Sequence, residues 1–287
     1  MRVAVLMACH NRKALTLACL EALRAQHGVR FVAPEAASRA EERGMAPWEV
    51  SVFLVDDASS DGTAPAVRAA FPEVVIIEGD GALFWCGGMR RAWERAAQMD
   101  FDAYVWLNDD TMLEPDAFER LFRTLADADE AAVVVGACRD PETGAITYGG
   151  MDARFGLLEP LPDRPRACES FHGNVVVIPR AVYRKVGGMS GAYTHSLGDV
   201  DYAERARRAG VPMLLAPGFV ARCRGNGVPR WQRGDLSLGE RWRALHAPTG
   251  CPPGEYARFF RLKHGWKWPL VMAKMYLRLL FPGRSQP

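Results

Sequence analysis

Four short apolar runs in the first 110 residues, each followed by a segment with helical spacing, constrain this chain most. They are "RVAVLMA" (2–8), "VSVFLVDD" (50–57), "EVVIIEGDG" (73–81) and "DAYVWLNDD" (102–110). Runs of this length, rich in β-branched residues, read as strands buried on both faces. Between them, "HNRKALTLACLEALRAQ" (10–26) offers Asn11 as an N-cap and sets Leu15, Cys19 and Leu23 at helical spacing. "SSDGTAPAVRAAF" (59–71) reads as a turn and a helix, and "GGMRRAWERAAQM" (87–99) as the next helix. Such alternation predicts an α/β fold: a doubly wound, mostly parallel central sheet flanked by helices. Ligands of such sheets sit outside the carboxyl ends of the strands. Here three of those ends carry distinctive groups: Cys9-His10-Asn11, Asp56-Asp57 and Asn108-Asp109-Asp110.

Further along, residues 131–140 and 173–188 read as strands followed by a turn and a helix. Residues 198–210 read as a helix that opens on acids and closes at Gly210, and "VPMLLAPG" (211–218) as a last strand. Near Gly225 the composition shifts to Arg, Trp, Pro and Gly. This divides the chain into a unit over 1–225 and a basic helical extension over 226–287 that packs on it. The net charge of +2 conceals the contrast. From Arg222 onward there are 13 Lys/Arg against 3 Asp/Glu, while residues 1–221 carry 23 against 31. A basic tail on an acidic body suits an anionic partner. No apolar run reaches the roughly 18–20 residues of a membrane span. The start of the chain lacks the layout of a signal peptide. Seven scattered cysteines, never spaced CxxC, speak against a disulfide framework or structural zinc and for a reducing cytoplasm.

No GxGxxG follows the first strand and no GxxxxGK[ST] occurs, so the usual dinucleotide and P-loop fingerprints are missing. Paired acids at a sheet edge point instead to Mg²⁺ or Mn²⁺, which takes oxygen ligands from one or two carboxylates plus substrate phosphates. Each acid also has a plainer reading. "NDD" serves equally as a turn leading to a helix near Pro115, and "DDASSDGT" is ordinary turn chemistry.

Taken in order, "VAVLMACHNR", "VFLVDDASSDGT", "VWLNDDTML" and "GDVDYAERARRAG" resemble the motif set of family 2 glycosyltransferases, which have the GT-A fold. The resemblance covers residues 2–225, and "FHGNVVVIPRAVYRKVGG" adds a likeness to bacterial polysaccharide-assembly and rhamnosyltransferase-like members. It implies an inverting transferase moving a sugar from a nucleoside-diphosphate sugar, dTDP- or UDP-linked, to a hydroxyl of a glycan or lipid-linked glycan. Cys9, His10, Asn11 and Arg12 would line the nucleotide pocket, with Asp56 and Asp57 on base or ribose. Gly81 and Trp85 belong to a Gly-rich loop, where Trp85 would stack on a ligand or anchor packing. "NDD" stands at the family's DxD position, with Asp110 the metal ligand and Asn108 and Asp109 beside metal and ribose. Asp199 would be the catalytic base; its alternative is a first-turn acid favoured by the helix dipole. Asp201 and Arg205 would brace that helix. His172, Asn174 and His195 fall on the acceptor side. Asn108 departs from the usual first Asp, and Arg90 stands where the family often has Asn, either meeting a donor phosphate or facing solvent.

The segment "WKWPLVMAKMYLRLLFP" (266–282) is apolar and studded with cations. It reads as an interfacial anchor on an anionic leaflet at the inner face of a membrane, or as a helix packed on the core or at a homodimer interface. The basic residues match no nucleic-acid module. Two rival functions remain open. A sugar-phosphate nucleotidyltransferase would want a Gly-rich loop directly after the first strand, which "ACHNRKAL" does not supply. A non-catalytic glycan- or nucleotide-binding scaffold would have no need of Asp110 and Asp199.

Overall fold

Val3 to Met7 are completely shielded from solvent, so the first apolar run is the floor of the molecule rather than an edge. Each fully buried aliphatic side chain of this kind contributes about 1.5–3 kcal/mol. A computed structural model describes residues 1–36 and 47–281. The elements of the first half are β1 (Arg2–Cys9), α1 (Lys13–Arg24), β2 (Val29–Phe31), β3 (Trp48–Asp56), α2 (Thr63–Ala70) and β4 (Val75–Glu78). Next come α3 (Phe84–Ala96), β5 (Ala103–Leu107), β6 (Met112–Leu113), α4 (Ala117–Ala126), β7 (Val133–Arg139) and β8 (Ile146–Tyr148). After these lie β9 (Gly150–Met151), β10 (Arg166–Ala167), β11 (Ser170–Phe171), β12 (Val175–Pro179), α5 (Arg180–Val186), α6 (Gly198–Arg208) and β13 (Met213–Arg222). The chain closes with α7 (Leu238–His246), α8 (Pro253–His264) and α9 (Trp268–Leu280).

The main sheet runs β10-β13-β7-β12-β5-β1-β3-β2, with β4 on β3. Strands β1, β2, β3, β4 and β5 are mutually parallel, as are β7 and β13. This is the α/β, mostly parallel sheet flanked by helices that the alternation predicts. Strand β12, in the middle of the sheet, is antiparallel to both β5 and β7, and the short β6, β8 and β10 also pair antiparallel. The reversal of β12 matters for the site. Val175 pairs with Leu107, so the residues entering β12 arrive at the edge where β5 ends. Cys9 is level with Asp56 in the β1–β3 register, which puts all three distinctive strand ends on one rim.

Several boundaries differ from expectation. Asn11 is not the N-cap: it adopts a left-handed φ of 51°, and α1 opens after Arg12 without a side-chain cap. The inward face of α1 is Thr16, Cys19, Leu20 and Leu23, whereas Leu15 is 45% exposed. Helix α3 starts early enough to take Trp85 into its first turn, out of the loop where it was expected. Strand β7 is followed by the short antiparallel β8 rather than by a helix, and β13 continues four residues past Gly218. Arg90 does not simply face solvent: it donates to the Ser190 carbonyl. Asp201 and Arg205 do brace α6: the guanidinium joins Asp201 to the carbonyls of Val186 and Gly188. All seven cysteines are free and buried.

Helix α3 lies directly on β1. A Cβ at Gly88 would come within 2.7 Å of the Ala8 Cβ, so glycine permits this approach and with it the placing of Trp85 over the strand ends. On the other side, Phe259 of α8 joins the cluster under α6, while Trp231, Leu245, Cys251, Met275 and Leu279 form a small core of their own.

Candidate active site

The rim holds two adjoining cavities of about 310 Å³ and 390 Å³ that share Arg12, Trp85, Asp109 and His195. The first is lined by Cys9, His10, Asp57, Gly81 and Phe84; the second by Asn108, Asp110, His172, Asn174 and Asp199. Every expected site residue except Asn11 and Asp56 therefore lines one cavity or the other.

Those two support the wall instead. Asn11 takes the Ser60 N–H on its Oδ1 at 2.8 Å, while its own N–H donates to Ser59 Oγ at 2.9 Å. Asp56 is buried and accepts from Ser59 N at 3.0 Å, closing the turn after β3. Asp57, in the wall of the first cavity, also organises the neighbouring backbone. Its Oδ1 accepts from Gly81 N at 2.8 Å and its Oδ2 from Phe84 N at 2.9 Å. Both oxygens are committed to the 79–84 backbone, so the carboxylate shapes the loop. His10 Nδ1 donates to the Asp57 carbonyl at 2.6 Å; the carbonyl can only accept, which fixes that tautomer. Its Nε2 then accepts from the Asn11 amide at 3.0 Å.

The acid pair is asymmetric. Asp109 is buried and takes Thr16 Oγ1 and Arg12 Nη1, whereas the Asp110 side chain is 29% exposed. Burial pushes Asp109 up to about 6, with Asp110 adding to the rise and Arg12 and Thr16 opposing it. Arg12 Nη1 lies 3.1 Å from Asp109 Oδ1 and 2.7 Å from Asp110 Oδ2. The oxygen of Asn108 is taken by the indole N–H of Trp85 at 2.7 Å. An indole can only donate, so Oδ1 must face it, and Asn108 is a brace between β5 and α3 rather than a free ligand.

Asp199 sits in the first turn of α6, after Leu197 in the left-handed region at φ 73°. Its Oδ2 accepts from Gly173 N at 3.0 Å and its Oδ1 from Val200 N at 2.8 Å. A Cβ at Gly173 would come within 2.6 Å of the Trp85 ring, so glycine lets the indole, the 173 backbone and Asp199 meet. His172 and His195 flank this point. Burial lowers both imidazoles, with Asp199 working against it in each and Arg12 adding to the lowering of His195. The Nδ1 of each is buried without a partner. Asn174 accepts on its carbonyl from Asn108 N at 3.1 Å, tying the entry of β12 to the acid turn.

The donor set suits a hard divalent cation: two carboxylates at one strand end, neither bonded to backbone. No group of three or more His, Cys, Asp or Glu able to hold a metal occurs among the described residues. An ion here would rest on Asp110 and Asp109, with substrate phosphates completing its shell.

Sequence reading missed the contribution of the tail. Thr249 lines the first cavity and Tyr256 and Asn226 the second. Glu255 accepts from Thr194 N and Oγ1 at 3.1 and 2.7 Å, steadying the segment that carries His195. "APTGCPPGEY" reads only as turns, and nothing in it announces a site.

Comparison with known proteins agrees with this geometry. The family model described as Glycosyl transferase family 2 matches residues 4–186. Two curated relatives, from two strains of Mycobacterium tuberculosis, are each named N-acetylglucosaminyl-diphospho-decaprenol L-rhamnosyltransferase. Each is 25% identical over 197 residues, covering 58% of this chain and 64% of the relative's own length. Among solved structures, S. aureus TarS 1–349 in complex with UDP-GlcNAc superposes with a TM-score of 0.57 at 10% identity, covering all of this chain and 74% of that one. The mannosyltransferase PcManGT from Pyrobaculum calidifontis, in complex with GDP-Man and Mn²⁺, gives 0.53 at 18% identity, covering all of this chain and 76% of the other. At these identities the two structures establish the GT-A fold.

Proposed function

We propose that this chain, which belongs to glycosyl transferase family 2, is a glycosyltransferase that transfers a sugar with inversion from a nucleoside-diphosphate sugar to a hydroxyl of a bacterial glycan or lipid-linked glycan. The supporting observation is that Asp199 lines the same cavity as the Asp109–Asp110 pair, with Trp85 and His195 shared by the neighbouring cavity. In this reading the nucleotide lies along Cys9, His10, Asp57 and Gly81, and its diphosphate reaches the acid pair. Asp199 takes the proton of the acceptor hydroxyl as that oxygen attacks the anomeric carbon. The N–H groups of Gly173 and Val200 hold its carboxylate in place. Besides the acid pair, Asp199 is the one acid among the described residues lining the acceptor-side cavity. In this reading Asp109 and Asp110 serve the metal and the donor diphosphate, which leaves Asp199 as base for a direct displacement. Mg²⁺ or Mn²⁺ on Asp110, with Asp109 beside it, would offset the charge on the departing nucleoside diphosphate. The name of the curated relatives supports rhamnose as the sugar and a lipid-linked acceptor; a dTDP or UDP carrier is part of the proposal.

A lipid-linked acceptor gives the tail a role. Helix α9 turns Met275 and Leu279 inward and leaves Leu270 and Leu277 more than half exposed, and Trp266 before it and Phe281 after it are 81% and 76% exposed. Lys267, Lys274 and Arg278 are exposed beside them. Apolar residues bordered by cations suit the headgroup layer of an anionic leaflet. No helix among the described residues is long and apolar enough to cross a membrane, and residue 282 of the expected anchor lies outside them.

The test is a thermal-shift and turnover screen of dTDP- and UDP-sugars, dTDP-rhamnose among them, with and without Mn²⁺. At least one should raise the melting temperature and release nucleoside diphosphate. Stabilisation with no turnover on any acceptor would favour a binding scaffold, and no response to any nucleotide sugar would sink the proposal.

A further inference from the structure

Arg12 stands where the proposed chemistry needs a positive charge. It is the one Lys or Arg among the described residues lining the two cavities, whose acids are Asp57, Asp109, Asp110 and Asp199. Its side chain is 46% exposed and lies over the 6%-exposed Asp109, bridging to Asp110 through the same Nη1. A nucleoside diphosphate entering this space would meet four carboxylates. Arg12 lies beside the oxygens that a cation would use, and like charges so placed oppose each other. A divalent ion on Asp110 and the guanidinium on Asp110 are therefore competitors. A diphosphate offers Arg12 a better partner, because its planar fork matches two phosphate oxygens.

We propose that Arg12 is a built-in counter-ion for the acid pair, which excludes the divalent cation from the donor-free enzyme and moves to the donor diphosphate when it binds. Metal and donor then bind cooperatively, each raising the affinity of the other by the same factor. This rests on the transferase reading of the site. It adds an order: the acid pair collects its ion together with the donor, not before it. Arg12 sits in the turn after β1, beside Asn11 in its left-handed conformation.

The test is a Mn²⁺ titration of the donor-free protein, following free Mn²⁺ by electron paramagnetic resonance, for the wild type, Arg12→Gln and Arg12→Lys. Removing the charge should tighten Mn²⁺ binding by about tenfold, roughly 1.4 kcal/mol. Arg12→Lys keeps the charge and should stay close to the wild type. Added UDP or dTDP should tighten Mn²⁺ binding to the wild type far more than to Arg12→Gln. Melting curves guard against a folding defect, since Mn²⁺ should raise the melting temperature of Arg12→Gln more than that of the wild type. Equal Mn²⁺ affinities, a weaker Arg12→Gln, or no Mn²⁺ bound by any of the three would overturn the proposal. The titration uses no sugar donor, so its failure is separate from a failure of the nucleotide-sugar screen.

Discussion

Asp109 is the residue whose environment is most at odds with its charge. Its carboxyl is buried beside a second carboxylate, and its pKa rises to about 6 against an unfolded value of about 3.9. A raised folded value means that the native state binds the proton more tightly than the unfolded chain does. The resulting stability is fully present below about pH 4 and is lost as pH rises through about 6. Chemical denaturation of the wild type should thus show stability falling between pH 4 and 7 by up to about 2–3 kcal/mol relative to Asp109→Asn. Parallel stability–pH curves for the two proteins would show that Asp109 is not held this way. At this scale the sequence names the acids but not their partners. Asp57 looks like a ligand in "VDDAS", yet it spends both oxygens on the loop over 79–84. Asn108 occupies a DxD position, yet it answers an indole. Those pairings are long-range, and no local pattern encodes them.

At the scale of elements, the alternation of apolar runs and helical spacing makes the parallel half of the sheet legible, because a buried parallel strand has a distinctive composition. The direction of β12 is not legible. "NVVVIP" would read the same whichever way it ran, and its antiparallel pairing is what delivers Gly173 and Asn174 to the acid turn. The start of α1 differs from expectation for a similar reason: an Asn before a helix suits a cap, but here its side chain is drawn across to Ser60. Helix α9 carries a prediction of its own. Its outward residues do no packing work on the small core beneath, so Leu277→Glu with Phe281→Glu should leave folding intact. The pair should reduce flotation with phosphatidylglycerol-containing vesicles by about tenfold or more. Unchanged flotation, or wild-type self-association abolished by the same substitutions, would reassign this face to a protein contact.

At the scale of the whole molecule, the site is a meeting point of segments far apart in sequence. The acid turn comes from the end of β5, Asp199 from the first turn of α6, and Thr249, Glu255 and Tyr256 from the basic extension after residue 225. Composition divides the chain near Gly225, but the site does not respect that division: the extension lines both cavities and holds the segment bearing His195. Arg12 and Asp109 border both cavities, while Asp110 and Asp199 border only the second. The most direct test is Asp199→Asn, which keeps the shape and the bond from Gly173 N but removes the base. It should lower kcat by about 10³-fold while nucleotide-sugar affinity, read by calorimetry, stays within error of the wild type. Near-normal turnover, or loss of donor binding in step with activity, would contradict the assignment of Asp199 as the base.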